Sequence, residues 1–568
     1  MTVLNVTING KTMEVAEGTT ILQAANAAGI EIPTLCHHPA LKDIGACRMC
    51  LVQIENMAAL QPACSYPVID GIKVETHTPR TLEMRKFVLE MLFSERNHYC
   101  MFCEMSGDCE LQKQAYAHGL AHWTYPTPNP KLQVDASRTY FIMDHNRCIL
   151  CRRCIRACGD VVGNHTLGMM SRGAKTMVTA DMDEPFGDST CVSCGTCLQV
   201  CPTGALVDRR SAYGGRNKDV DTVNSACTFC SIGCRVNVIT RNGRPLRVEG
   251  DWDGHNQGVL CLAGRFQPLE TGRRRVTTPM VKRDGALEPA TWDEALAAVA
   301  KGVQAAVPGK IHAWVTAATL DQPMDAVVET FRGKFGGDVK TLEAAPPPGE
   351  TPNGGAMKDI DTADLVLVVD ADPLTEHRVL GYRIKRAADN GARILVCADG
   401  DNSMADFAHE AFPLSKLDWA LASVTTAERP VVVYRAAMDP RLRAKLAVIK
   451  AVCIPLHAAA NAARAISLGL NNEADGDAEA LYILLEEQAL TPEQREQAHK
   501  APFVVMHACY VDDVDGLADV VLPAPLWYER EGTFHNIEGK SERVRPAAPP
   551  PEDIWSETSV LQQLSLRV

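Results

Sequence analysis

The chain has 568 residues, a formal net charge of -13 and 22 cysteines. That length predicts roughly three to five domains, and the negative balance argues against general nucleic-acid binding. The opening MTVLNVTING lacks a basic start and an apolar core, so no secretory signal is expected, and no apolar run approaches the roughly 18 residues of a membrane span.

Cysteine, at about 4 %, lies below the level of a disulfide scaffold. A cytoplasmic chain is expected, where thiols stay reduced and free to bind metal. Nineteen of the 22 cysteines fall into five groups with ligand spacing, all between residues 36 and 261. Cys397, Cys453 and Cys509 stand alone in apolar runs and read as ordinary buried thiols.

Residues 1–79 read as a small β-rich domain. VLNVTING and KTMEVAEG alternate apolar and polar residues and meet at Asn9-Gly10, a hairpin signal. Thr19 or Thr20 can cap a helix through ILQAANAA, and Gly29 can end it. Two strands, a helix and cysteine-bearing loops follow the order of a β-grasp ferredoxin with one [2Fe–2S] cluster. Its ligands would be Cys36, Cys47, Cys50 and Cys64, a variant of the plant-type spacing. A four-cysteine zinc site is the competing reading; zinc is usually held by two paired knuckles, and only Cys47 and Cys50 form such a pair.

Residues 80–138 open with a helix begun by Pro79, with Leu82, Val88, Met91 and Leu92 as its apolar stripe. It leads to His98, Cys100, Cys103 and Cys109. A neutral imidazole beside three thiolates can supply a fourth ligand and raise the cluster potential.

Residues 139–215 carry the most specific signal, Cys148-x2-Cys151-x2-Cys154-x3-Cys158 and Cys191-x2-Cys194-x2-Cys197-x3-Cys201-Pro202. In a two-cluster ferredoxin the fourth cysteine of each run ligates the other cluster. Cys148, Cys151, Cys154 and Cys201 therefore form one [4Fe–4S] set, and Cys191, Cys194, Cys197 and Cys158 the other. Gly159 stands where proline is usual. Arg147, Arg152, Arg153 and Arg156 could offset cluster charge or be solvated.

The fifth group, Cys227, Cys230, Cys234 and Cys261, occupies residues 220–275 and is followed by Leu262-Ala263-Gly264-Arg265. The run Gly272-Arg273-Arg274-Arg275 reads as a solvated linker or docking edge. From about residue 290 strands and helices alternate. TWDEALAAVAKGVQAA is a helix capped by Thr291; DLVLVVDAD and RILVCADG are strands around the helical LTEHRVLGYRIKRAADNG; PVVVYRA and PFVVMHACY are later strands. Such runs predict a largely parallel sheet. EAAPPPGETPNGG is a loop, and no nucleotide-binding fingerprint appears.

The first two regions, together with HNRCILCRRC, resemble the iron–sulfur diaphorase subunit of NAD-linked hydrogenases. The large iron–sulfur subunit of complex I is similar, but it usually has His-x3-Cys, and Arg96 occupies that histidine's place. The added ferredoxin pair resembles the N-terminal parts of iron-only hydrogenases and of NAD-dependent formate dehydrogenase α subunits. CTFCSIGC with Cys261 and LAGR resembles the opening of the molybdopterin oxidoreductases. DADPLTEHRVLGYRIKRAADNGARI, ANAARAISLGL and LADVVLPAPLWYEREGTFHNIEGKSERV are similar to the same family.

The resemblance implies an α/β multidomain chain: a β-grasp [2Fe–2S] domain (1–79), a His/Cys3 cluster domain (80–138), a two-[4Fe–4S] ferredoxin domain (139–215), a [4Fe–4S] subdomain of molybdopterin-oxidoreductase type (220–275) and a reduced scaffold of that family (276–568). It implies one [2Fe–2S] and four [4Fe–4S] clusters and no molybdopterin. Ala263 replaces the lysine of active formate dehydrogenases, about 307 residues follow Cys261, and Cys36-His37 is the one Cys-His pair. The function implied is an electron-transfer subunit of a cytoplasmic NAD(P)H-linked complex: a hydrogenase, a formate dehydrogenase or an electron-bifurcating oxidoreductase. Its partners would be an FMN-bearing, NAD(P)H-oxidising flavoprotein, a small [2Fe–2S] subunit, and a terminal redox enzyme or ferredoxin. The alternative is a molybdenum or tungsten formate dehydrogenase. No residue is assigned to acid–base or nucleophilic catalysis.

Overall fold

The computed structural model describes residues 2–128, 130–270, 272–344, 354–472 and 477–568, and the chain divides into two compact units, Met1–Val220 and Asp221–Val568. Most of the loop expected over 343–355 lies outside the described residues.

The first unit opens on the expected hairpin. Val3–Ile8 and Lys11–Ala16 pair antiparallel, and Asn9 and Gly10 take φ of 49° and 78°, left-handed at both central positions as the tight turn requires. Thr20, rather than Thr19, caps the helix Ile21–Ala27. Its hydroxyl accepts from the Gln23 N–H while the Gln23 side chain accepts from the Thr20 N–H, so two otherwise orphaned donors are satisfied. Ile72–Glu75 returns parallel to Val3–Ile8. The five-stranded sheet runs Lys11–Ala16, Val3–Ile8, Ile72–Glu75, Leu51–Ile54, Gln61–Pro62. Val6, Ile8, Leu22, Val52 and Val74 form its core.

The helix Pro79–Glu95 starts at Pro79 behind a Thr78 cap, but the stripe read from the sequence is displaced. Leu82 is 41 % exposed, and the buried row is Thr81, Arg85, Leu89 and Phe93. Arg85 donates to the carbonyls of Met49 at 3.1 Å and Leu51 at 2.8 Å. An arginine in the inward-facing row conceals that face from a count of apolar residues.

In the two-run region Phe141–Asp144 lies between Leu206–Asp208 and Val134–Asp135. The cysteine runs repeat one backbone pattern. Leu150 and Arg152 have φ of 53° and 58°, and Ser193 and Gly195 have 53° and 68°. Each pair leads into a short helix, Arg153–Arg156 or Thr196–Val200.

The second unit begins with an antiparallel sheet of Asp221–Ala226, Arg235–Arg241 and Arg244–Gly250. The later strands form two sheets rather than the single sheet expected. One is wholly parallel: Glu410–Phe412, Arg393–Cys397, Leu365–Val369, Pro430–Arg435, Val452–Leu456. The other joins Ile311–Val315, Val339–Thr341, Ala480–Glu486, Phe503–Ala508 and Val520–Pro523 in parallel and ends in the antiparallel hairpin Met280–Arg283 and Ala286–Pro289. Short apolar runs declare burial on both faces but not which sheet receives them. Thr291 and Glu294 make the capping box of Trp292–Ala305. The run Arg273–Arg275 is no free edge: Arg273 pairs with Asp513 and stacks 3.9 Å from the Tyr510 ring, Arg274 pairs with Asp512, and Arg275 pairs with the buried Glu529.

Candidate iron–sulfur cluster sites

Within each group of cysteines read from the sequence, thiols lie near enough that the charge of one is felt by another. Cys36 and Cys47 share a hydrogen bond that holds the Cys36 thiol down at about 5 and pushes the Cys47 thiol up. Cys50 and Cys64 make the same arrangement. The two pairs sense each other, Cys50 through Cys47 and Cys64 through Cys36. His37 bonds Asp43 at 2.8 Å, and burial takes the neighbouring His38 down to about 4.

At the second group burial pushes Cys109 up to about 12, and the charges of Cys103 and Cys100 push the same way. Burial takes His98 down to about 4, so its ring is neutral, and the ring bonds the Leu92 backbone. Its Nε2 is buried without a partner, so Nδ1 makes that bond and Nε2 is a bare lone pair. This is the tautomer a metal ligand needs. A cavity lined by His98, Cys100, Cys103 and Cys109 lies in front of it. A Cβ added to Gly204 would stand 2.5 Å from Cys103 Sγ, so only glycine leaves that sulfur its space.

In the two-run region burial raises Cys148 to about 11 and Cys151 to about 12, and both also feel Cys201. Cys154 is pushed up by burial and then by Cys151, Cys148 and Cys201. Cys158 rises to about 12 through burial, Cys194 and Cys191. Each run's last cysteine thus stands with the other run. Cys154 also feels Cys197, so the two sets are neighbours. Leu150 N–H donates to Cys148 Sγ and Ser193 N–H to Cys191 Sγ, both at 3.4 Å, amides aimed at sulfur in equivalent places. A Cβ at Gly159 would meet His165 Nδ1 at 3.0 Å, a tight approach that favours glycine there.

The four arginines divide. Arg152 is exposed. Arg153 is buried, forks onto Glu110 at 2.6 and 2.7 Å and feels Cys151 and Cys201. Arg156 donates to the carbonyls of Cys36 at 2.5 Å, Lys42 at 2.6 Å and Cys151 at 3.4 Å, which ties the first cysteine loop to the first run. Arg147 donates to the Asn97 carbonyl at 2.6 Å. Arg96, in the place of a histidine ligand, is buried and donates to the carbonyls of His145 at 2.8 Å and Thr176 at 2.5 Å.

In the second unit Cys227, Cys230 and Cys234 are pushed up by burial, and all three feel Cys261. Cys261 caps the helix Leu262–Arg265 and its sulfur accepts from the Gly264 N–H at 3.4 Å. Ser231 bonds His377 at 2.9 Å. Sequence reading misses that contact, as it misses Gly204 and Glu110, because their partners lie far along the chain. The signal for Gly204 is its place just after Cys201-Pro202-Thr203. Cys397 and Cys453, raised by burial to about 11, and Cys509 are isolated core thiols.

Family models match in the same order. A 2Fe-2S iron-sulfur cluster binding domain covers residues 2–79, the NADH-ubiquinone oxidoreductase-G iron-sulfur binding region 85–123, and the ferredoxin-like domain of NADH-quinone oxidoreductase subunit 3 140–207. The molybdopterin oxidoreductase Fe4S4 domain covers 220–268 and the molybdopterin oxidoreductase model 275–425 and 441–567. Its domain make-up is that of a complex I-type iron–sulfur subunit. The chain is 40 % identical over 298 residues to an NADH-quinone oxidoreductase subunit of Rhizobium meliloti, spanning 51 % of this chain and 34 % of that protein. It is 32 % identical over 427 residues to the NADPH-Fe(3+) oxidoreductase subunit alpha of Geobacter sulfurreducens, spanning 72 % and 49 %. NADH-quinone oxidoreductase subunit 3 of Thermus thermophilus is 28 % identical over 99 % of this chain and 82 % of its own length. The chain thus covers between a third and a half of the first two relatives. Both [2Fe–2S] and [4Fe–4S] binding are features of the matched domains, and no helix among the described residues is long and apolar enough to cross a membrane.

The molybdopterin likeness raises the question of a pterin dinucleotide. At the C-terminal ends of the parallel strands, where an open α/β sheet binds such ligands, the cavity carries Asp370, Asp372, Glu376, Asp399 and Asp401 against Arg435. A pyrophosphate needs converging N–H groups and positive charge, and this lining does not fit it.

Proposed function

We propose that the chain is the iron–sulfur relay subunit of an NAD(P)H-linked multisubunit oxidoreductase. It would carry one [2Fe–2S] cluster on Cys36, Cys47, Cys50 and Cys64 and four [4Fe–4S] clusters on the other groups, with His98 as the one nitrogen ligand. The observation that supports this is that, in each of the five groups, buried thiols lie near enough for the charge of one to be felt by another. When bound, the clusters supply one-electron acceptor levels. The chain's part is to hold, shield and tune them. Where burial raises a thiol, as at Cys109, Cys151 and Cys158, metal must displace its proton, so loading there releases protons and favours higher pH. Backbone amides at Leu150, Ser193 and Gly264 donate to ligand sulfurs, and Arg153 and Arg156 place cationic charge beside them.

The electron source in this reading is an FMN-bearing, NAD(P)H-oxidising partner, with a small [2Fe–2S] protein beside it. The sink is a terminal redox enzyme or a ferredoxin in the cytoplasm. Relatives named for NADH-quinone and NADPH-Fe(3+) oxidoreductases support the NAD(P)H link. The scaffold is proposed to hold no molybdopterin, supported by the acidic strand-end cavity and by Ala263. Anaerobic metal analysis tests both statements. About 18 iron per chain, with neither molybdenum nor tungsten, is expected. Stoichiometric molybdenum or tungsten would replace the relay with a formate-type enzyme.

A further inference from the structure

The loop from Cys227 to Cys234 meets the scaffold through a buried polar contact. Ser231, next to Cys230, is 1 % exposed. Its Oγ lies 2.9 Å from Nε2 of His377, a residue 146 positions away. The same Nε2 lies 3.0 Å from the backbone oxygen of His457. A carbonyl oxygen only accepts, so Nε2 carries the ring hydrogen. His377 Nδ1 has no partner, as expected of a neutral ring with its hydrogen on the other nitrogen. The one N–H is therefore shared between two acceptors, the His457 carbonyl and the Ser231 oxygen. Ser231 accepts from His377, and its own hydroxyl hydrogen is left to be given elsewhere.

The backbone of the loop that carries Ser231 is held in place. Gly233 has φ of 65°, and a Cβ there would stand 2.8 Å from Asn536 Cβ and 2.9 Å from Phe534 Cε2. Cys227 N–H donates to the Cys234 carbonyl at 2.8 Å, which closes the loop on itself. His377 is also fixed, at the break between the helices Pro373–Glu376 and Arg378–Asp389. Both ends of the contact are built.

We propose that His377 is a positioning residue for the fifth site: by filling an acceptor lone pair of Ser231 it directs the hydroxyl hydrogen to a sulfur of the group held by Cys227, Cys230, Cys234 and Cys261. This rests on the reading of that group as a cluster site. A hydrogen bond to sulfur stabilises the reduced, more negative state more than the oxidised one, so it raises the reduction potential. The device tunes one site of the relay from a domain that contributes no thiolate to it.

The test is an EPR-monitored redox titration of the full chain with its clusters, with iron content measured in parallel. Ser231→Ala is expected to move the fifth cluster's midpoint to more negative potential and leave the others in place. Ser231→Thr, which keeps the hydroxyl, holds it near the wild-type value. His377→Ala shifts it in the same direction as Ser231→Ala, because the hydroxyl then turns to the freed His457 carbonyl; His377→Gln, which restores an N–H donor, recovers part of the shift. An unmoved midpoint in Ser231→Ala with full iron content overturns the proposal. If Ser231→Ala fails to load, the His377 variants decide, and an unmoved midpoint in His377→Ala overturns it equally. A wild-type chain short by about four iron and lacking the fifth signal overturns the cluster reading itself, a failure distinct from a midpoint that does not move.

Discussion

The cysteine-rich part of the first unit and the α/β scaffold of the second reach burial by opposite means. Around the helix Pro79–Glu95 the buried cluster mixes Leu35, Met49, Leu89 and Ile149 with Cys36 and Cys151, and the regular elements of this unit after Glu95 are short. In the parallel sheet Leu365, Leu367, Val369, Leu395 and Val432 fill the same role, with Cys397 and Cys453 as isolated thiols among them. Apolar side chains gain by leaving water whatever else is bound. Thiols that serve as metal ligands contribute their full stability only when metal takes them, since binding free energy then becomes folding free energy. One region is finished by the chain, the other by its cofactors.

Removing iron is the broadest way to break this comparison. Chelation under oxidising conditions is expected to cut amide exchange protection across residues 100–205 by roughly a hundredfold or more, while the strands Leu365–Val369, Arg393–Cys397 and Pro430–Arg435 keep theirs. Uniform loss along the chain would show that both regions depend on metal. A sharper cut is Cys201→Ser. It is expected to remove about four of about 18 iron and to extinguish the site of Cys148, Cys151 and Cys154. The site of Cys191, Cys194 and Cys158 should keep its signal; loss there instead would reverse the assignment of the crossing cysteines.

The converse experiment lies in the scaffold. Leu367 is wholly buried, and Leu367→Ala is expected to cost about 2–5 kcal/mol in denaturant unfolding of the second unit with iron content unchanged. A smaller effect is tied to pH. Burial pushes the Asp361 carboxyl up, but the hydrogen bonds and charges of Arg383 and Arg386 overcome this and hold it below the usual carboxylate range. Arg383 also donates to the His255 carbonyl at 2.8 Å, on the loop leading to Cys261. A depressed carboxylate contributes stability above its unfolded value of about 3.9 and loses it as pH falls through the folded value. Asp361→Asn is expected to lower stability by about 1–3 kcal/mol at pH 6, and the gap to wild type should close toward pH 3. A constant gap would point to packing rather than charge.

The legibility of the molecule follows the same division. Ligand groups are short-range patterns, so they can be proposed from spacing alone. Caps at Thr20 and Thr291 and the Asn9-Gly10 turn are equally local. Misread or missed features all depend on distant partners. Arg85 is buried because Met49 and Leu51 offer carbonyls, so the helix Pro79–Glu95 hides its inner face. Glu110 reads as an exposed helix residue until Arg153 is seen beside it. The acidic strand-end cavity draws on three separate loops, and Ser231 is an unremarkable hydroxyl without His377. Arg96 stands out as a departure from the His-x3-Cys pattern, but its work on the His145 and Thr176 carbonyls has no trace in the spacing.

The crossing of Cys158 and Cys201 has a consequence for how the protein is made. As the chain leaves the ribosome, Cys148, Cys151 and Cys154 emerge as an incomplete triad, and Cys158 waits without companions. With the ligand sets proposed above, neither quartet would close until the second run has followed, since one awaits Cys201 and the other awaits Cys191 to Cys197. Both quartets would then be completed within a few residues of translation, so that closure of either site waits until the whole module is out.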